Sequence, residues 1–201
     1  MSRYGTKGWR SFDPSAAPRA PAAPRLAPVE CVRILGLDPG SRRTGYGIIE
    51  CKGADSAHIV HGCIIGTGSS IAERLRSIFE GVQKLMAQHR PDEVAVERVF
   101  VNRNVDSALK LGHARGAALC AVPQPVPVFE YAPRAIKLAV VGYGGAEKLQ
   151  VAHMIRTLLQ LQVRVTGDAS DALAVALCHA NTRRVHVLAQ ATPAAGLRNR
   201  A

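Results

Sequence analysis

Acidic residues are scarce in this 201-residue chain, where 15 Asp and Glu face 26 Lys and Arg for a formal net charge of +11. With a pI near 10.0, that deficit points to a polyanionic partner, nucleic acid before a membrane surface; the plainer alternative is a basic protein with no such partner. Aromatic residues make up only 4%, yet 47% hydrophobic content lets the chain bury a core, and its length suits one domain. No apolar run approaches the roughly 20 residues a helix needs to cross a bilayer, which excludes an integral membrane protein of that kind. The cysteines, Cys31, Cys51, Cys63, Cys120 and Cys178, are odd in number, lie in apolar segments and include no C-x-x-C pair. They are expected to be buried, reduced thiols of a cytosolic, hence cytoplasmic, protein. The seven His residues form no H-x-x-x-H pattern, so neither type suggests a zinc site.

Residues 1–30 carry Pro14, Pro18, Pro21, Pro24 and Pro28 among Ala, Ser and Arg, without hydrophobic periodicity, and are expected to be a disordered extension. They are Arg-bearing and acid-poor like a transit peptide, but their prolines oppose the amphipathic helix such a peptide needs. Because the first strand opens only at Cys31, translation from a codon such as Leu26, Val29 or Val32 is an alternative that an intact mass of natively expressed protein would settle. Without this segment 21 basic residues still face 13 acids, so the electrostatic argument survives its loss.

From Cys31 the pattern is regular. Strands are expected over Cys31 to Leu37, Thr44 to Cys51 and Ala57 to Ile65, an antiparallel meander turning at Asp38-Pro39-Gly40 and again through Gly53 and Asp55. Ser70 and Glu73 form a capping box for a helix reaching about His89, with Ile71, Leu75, Ile78, Phe79, Val82, Leu85 and Met86 at helical spacing. Glu93 to Val96 and Val126 to Glu130 read as strands on either side of a helix from about Asn104 to Cys120. Further helices follow from about Arg134, from Ala146 to Leu161 with Val151, Met154, Ile155, Leu158 and Leu159 inward, and from Asp168 to about Ala180. Residues 183–201, with Arg183, Arg184, Arg198, Arg200 and no acid, read as a loose basic tail behind a domain at 31–182. The order predicts an α/β fold, one mixed five-stranded sheet flanked by helices on both faces.

The few acids fall at converging places. Asp38 ends the first strand and Glu97 the fourth, and strand ends in open α/β sheets face the crevice where ligands bind. Asp168 and Asp171 are three apart in the first turn of the last helix, on one face. Four carboxylates meeting in a basic protein repel one another unless a cation resides among them, and hard oxygen donors select Mg²⁺ or Mn²⁺. A pair of such ions supports phosphodiester hydrolysis. Each acid also has a plainer reading: Asp38 as a turn residue, Glu97 as a partner of Arg98, Asp168 as a helix N-cap and Asp171 as an acid favoured by the helix dipole.

The stretches Ile34-Leu-Gly-Leu-Asp-Pro-Gly-Ser41, Thr44-Gly-Tyr-Gly47, Val96-Glu-Arg-Val-Phe100, Asn104-Val-Asp-Ser-Ala-Leu-Lys-Leu-Gly112, Ala114-Arg-Gly116, Val128-Phe-Glu-Tyr131, Val140-Val-Gly142, Ala146-Glu-Lys148 and Asp168-Ala-Ser-Asp-Ala-Leu-Ala174 follow one another in the chain. In that order they resemble the RuvC family of Holliday-junction resolvases, within the ribonuclease H-like superfamily. The resemblance implies a ribonuclease H-like fold and a homodimer that nicks opposed strands of a four-way junction. It implies that Asp38, Glu97, Asp168 and Asp171 hold two Mg²⁺ ions per subunit, with Mn²⁺ as a substitute, and that Lys137 and Lys148 act in catalysis and DNA contact. By the same resemblance Phe100 wedges at the junction centre, Arg103 sits in a junction-facing loop, and RuvA and RuvB are partners. Phe100 has an alternative role as a hydrophobic staple for the following helix, and the two lysines have one as a solvated helix face. Ala108, Gly112 and Gly116 form a stripe of small residues that suits either the dimer contact or packing on the chain's own sheet. A YqgF-type protein is disfavoured by the Phe100 loop and the Asp168/Asp171 pair, an actin-like ATPase by the lack of a second nucleotide-binding half, and a non-catalytic DNA-binding module by the complete acid set.

Overall fold

The computed structural model describes residues 31–98, 105–163 and 165–191, with side chains described up to Val185. Residues 1–30, Phe100, Arg103 and positions 192–201 lie outside the described residues. Five strands and five helices follow in the order β1 (Cys31–Asp38), β2 (Arg43–Lys52), β3 (Asp55–Ile65), α1 (Ile71–His89), β4 (Glu93–Glu97), α2 (Val105–Cys120), β5 (Val128–Tyr131), α3 (Pro133–Val141), α4 (Lys148–Leu158) and α5 (Gly167–Ala191). The sheet order is β3-β2-β1-β4-β5. The β1–β2 and β2–β3 pairs are antiparallel, whereas β4 lies parallel to β1 and to β5. This is the mixed sheet the sequence predicts.

Period-two alternation sorts the strand residues onto two cores. Val32 and Ile34 of β1 and Ala95 of β4 face α3, α4 and α5, while Leu35, Leu37, Val94 and Val96 face α1 and α2. Continuing the first set along each strand brings Asp38 and Glu97 onto the α5 face. The last β1–β4 pair is Leu37 with Val96, so the next residues of the two strands, Asp38 and Glu97, leave the sheet side by side.

The first turns of helix α5 lie against that face with no room for a side chain at two positions beneath them. A Cβ built on Gly36 would stand 2.1 Å from the Ala172 carbonyl oxygen, and one on Gly45 would stand 2.0 Å from that of Asp168. Glycine at these two positions is what lets the first turns of α5 sit directly over β1 and β2.

The capping box at the start of α1 forms as expected, with Ser70 accepting from the Glu73 amide and Glu73 accepting from the Ser70 amide. Three expectations are corrected. Helix α5 does not end near Ala180 but runs to Ala191. The basic segment therefore starts inside the fold, with Arg183 only 8% exposed and Arg184 donating to the Ala54 carbonyl. The polar sequence after Ala180 hid the helix because its core-facing side there is made of charged groups with partners. Of the five cysteines only Cys178 is buried, while Cys31 and Cys120 are exposed at element ends. Leu158 is 44% exposed rather than inward, because α4 ends with Val151 and Ile155 already facing the core.

Candidate active site

Three elements deliver the four acids to one end of the sheet. Asp38 comes from the end of β1, Glu97 from the end of β4, and Asp168 and Asp171 from the first turns of α5, which the glycines of β1 and β2 seat against the strands. Helix α5 begins at Gly167, so Asp168 stands within its first turn.

Burial and the charges of neighbouring acids displace the titration of two members of the quartet. Asp38 is pushed from an ordinary 3.8 to about 7, first by burial and then by the charges of Asp171, Glu97 and Asp168, with Lys148 opposing. Glu97 is also raised, by burial and then by Asp171, against the pull of Lys148 and Lys137. Arg98, the alternative partner of Glu97, instead pairs with Glu130 at 3.8 Å.

Two cations flank the quartet. Lys148, at the start of α4, donates to Asp171 Oδ2 at 2.5 Å, and that hydrogen bond holds its ammonium above the usual lysine range. Arg43, at the start of β2, brings Nε within 3.2 Å of Asp168 Oδ2. Beside the acids opens a cleft of about 210 Å³ lined by Glu97, Lys137, Lys148 and Asp171 over an apolar floor that includes Ile136 and Val151. Both sequence-designated lysines thus reach the same cleft as two of the acids.

The donor set fits a hard divalent cation. It consists of carboxylate oxygens, and their mutual repulsion, visible in the displaced Asp38 and Glu97, is what a bound cation relieves. Among the described residues the carboxylates are not drawn into a ready-made shell, since no group of three or more His, Cys, Asp or Glu side chains stands at ligating distance. Two of the four are turned toward Arg43 and Lys148.

Sequence reasoning missed Arg43 and a second buried cluster at the opposite end of β4. There Glu93 Oε2 meets His179 Nε2 at 2.7 Å, Arg183 Nε lies 3.0 and 3.1 Å from the two Glu93 oxygens, and the Tyr131 hydroxyl stands 2.6 Å from His179 Nδ1. Phe129 stacks on the His179 ring with centroids 4.3 Å apart. Glu93 lies two residues before Ala95 and four before Glu97, so alternation along the strand places Glu93 on the same core-facing side. A charge there requires a buried partner, and that was the available signal.

The family model for the crossover junction endodeoxyribonuclease RuvC matches residues 34–179, nearly the whole sheet and its helices. The chain belongs to the RuvC family. It is 53% identical over 164 residues to the crossover junction endodeoxyribonuclease RuvC of Halorhodospira halophila, covering 81% of this chain and 98% of that protein. The RuvC of Hahella chejuensis is 49% identical over 154 residues, covering 76% and 90%. Among solved structures, Thermus thermophilus RuvC in complex with a Holliday junction substrate superposes with a TM-score of 0.72 at 35% identity, over 77% of this chain and 96% of that one. The yeast mitochondrial Holliday junction resolvase, at 12% identity and a TM-score of 0.55, shares the fold. All four acids, Asp38, Glu97, Asp168 and Asp171, fall within the matched RuvC region.

Proposed function

We propose that this chain acts as a homodimeric, divalent-metal-dependent endodeoxyribonuclease that resolves four-way DNA junctions by paired symmetric nicks, in recombination and repair. The observation that carries this reading is the convergence of Asp38, Glu97, Asp168 and Asp171 at one end of a sheet that belongs to the RuvC family. These four side chains would hold the metal, for which we propose two Mg²⁺ per subunit with Mn²⁺ as a substitute. Ions bound there would activate a water and stabilise the leaving oxygen of the phosphodiester, giving 5′-phosphate and 3′-hydroxyl ends.

The chain's own residues supply the rest. The strand ends set the backbone positions of Asp38 and Glu97, and the glycine-seated α5 sets those of Asp168 and Asp171 at the same end of the sheet, so rotation of side chains would bring the donors onto a cation. Lys148 orients the Asp171 carboxylate, and Lys137 presents a second ammonium to the cleft through which DNA backbone would pass. Phe100 and Arg103, which follow Glu97 in the sequence and lie outside the described residues, are proposed to contact DNA, the aromatic side chain by wedging against an unstacked base and the guanidinium by holding backbone.

A four-way junction has approximate two-fold symmetry, which two identical sites related by a two-fold axis would match. Helix α2 offers the contact: a Cβ on Gly112 or Gly116 would meet nothing within 4 Å, and Val105 and Leu109 are 66% and 57% exposed. That favours the dimer reading of the small-residue stripe over packing against the chain's own sheet. Handover from RuvA and RuvB and a cytoplasmic location complete the proposal. No helix among the described residues is long and apolar enough to cross a membrane.

The test is incubation with a synthetic mobile four-way junction, with and without Mg²⁺. Paired nicks that appear only with the metal, and not on linear duplex, support the reading; no cutting, or equal cutting of duplex, overturns it. Gly112→Leu should shift the sedimentation mass from dimer to monomer, and an unchanged dimer removes α2 from the contact.

A further inference from the structure

We infer that Arg43 is a phosphate-binding residue of the active site, seating the phosphodiester from the β2 flank of the acid quartet. The inference rests on the nuclease reading above. Arg43 falls between the two motifs Ile34–Ser41 and Thr44–Gly47 and belongs to neither, so the family resemblance assigns it nothing.

Its position is fixed by the backbone. Arg43 opens β2, pairs with Ile65 of β3, and lies two and four residues before Gly45 and Gly47, the glycines that face α5. Alternation therefore turns its side chain to the α5 face, where Nε stands 3.2 Å from Asp168 Oδ2. Lys148 meets Asp171 from α4, so the acids have a cation on each flank, and Lys137 and Lys148 both come from the side that Arg43 does not occupy.

A phosphodiester approaching four carboxylates is repelled unless positive charge stands at the rim. Arg43 has the chemistry for that task, because a planar guanidinium presents parallel N–H donors that match two phosphate oxygens. It is also free to change partners. The Arg43 side chain is 54% exposed and that of Asp168 39%, and an exposed pair of this kind contributes little to stability. Oδ2 of Asp168 is moreover one of the oxygens proposed to bind metal, and a carboxylate engaged by a divalent cation has no further need of the guanidinium. Rotation of one long side chain then moves Arg43 from the carboxylate to a neighbouring phosphate.

The experiment compares Arg43→Ala and Arg43→Lys with wild type in two measurements. In an Asp38→Asn background with saturating Mg²⁺, junction affinity is followed against salt without cutting. Loss of one phosphate contact lowers the slope of log affinity against log salt by about 0.9 for each arginine engaged. In otherwise wild-type protein, single-turnover cutting in saturating Mg²⁺ falls about tenfold or more in the alanine variant, the scale of one lost charge-assisted contact. The lysine variant keeps the salt slope and recovers part of the rate. Wild-type thermal unfolding in both variants excludes a structural origin. An unchanged salt slope overturns the inference, as does an alanine variant altered only in the Mg²⁺ concentration for half-maximal cutting, which would make Arg43 simply the counter-ion of Asp168. Failure of wild type itself to cut a junction would instead refute the underlying nuclease reading.

Discussion

Glu93 and Glu97 stand at the two ends of one five-residue strand, on the same face, beneath the same helix, and their surroundings are opposite. At the first end, burial would push the Glu93 carboxyl up, but the hydrogen bonds and charges of His179 and Arg183 outweigh it and hold Glu93 below its ordinary value. At the second, burial is joined by the repulsion of other acids, and Glu97 rises. Helix α5 supplies both environments: its first turns bring Asp168 and Asp171 to one end, and residues 11 to 15 positions later bring His179 and Arg183 to the other. One end of the layer is thus internally satisfied and fastens the helix to the sheet. The other gathers carboxylates that repel one another and meet Arg43 and Lys148 only at their rim.

The comparison can be broken at either end. The largest effect expected is on cutting by Asp38→Asn, which should fall on the order of 10³-fold or more, the scale of removing an essential electrostatic group. Junction affinity measured by gel shift should stay close to wild type, and equal cutting by mutant and wild type would exclude the role given to Asp38. At the satisfied end, Glu93→Gln removes the carboxylate charge from the buried pair with Arg183, which should cost about 3 kcal/mol in denaturant unfolding. Cutting per mole of folded protein should hardly change.

The two ends should also answer pH in opposite directions in the presence of a chelator. Asp38 has a folded pKa of about 7, above its ordinary 3.8, so the fold favours its protonated form. Its contribution is fully present below about pH 4 and is lost as pH rises through 7, on the order of 2 kcal/mol after allowance for water reaching the site. Asp38→Asn should flatten that limb, and added Mg²⁺ should restore stability to wild type. Glu93, depressed below its ordinary 4.5, stabilises the fold above that pH and loses its contribution as pH falls through its folded value, so Glu93→Gln should flatten the acid limb instead. The smallest effect belongs to neither end. Asp106→Ala, which breaks the exposed Asp106–Lys110 pair on α2, should shift stability by only about 0.3–0.5 kcal/mol.

The unequal legibility of the two ends has a physical cause. Asp38 before Pro39-Gly40 and the Asp168/Asp171 spacing are local signals, and strand alternation carries Glu97 to the same face, so the acid end could be assembled from short stretches of sequence. The Glu93–His179–Arg183 cluster joins residues some 90 positions apart, and in sequence its members pass for a strand-opening acid, a histidine near the end of the last helix and the first residue of a basic tail. Arg43 was hidden for a related reason: beside Arg42 in a hairpin it reads as a solvated turn cation, until α5 is laid over Gly45 and Asp168 arrives next to it.

Alternation, capping and acid placement along the sequence determined the elements and where each of the four carboxylates stands on its own element, because each depends on neighbours within a few residues. Only the tertiary structure decided which charges those carboxylates would face. That choice depends on where the long α5 comes to rest, and bare glycine backbone in β1 and β2 lets it settle close enough for one helix to complete a buried ion pair at one end and an acid cluster at the other.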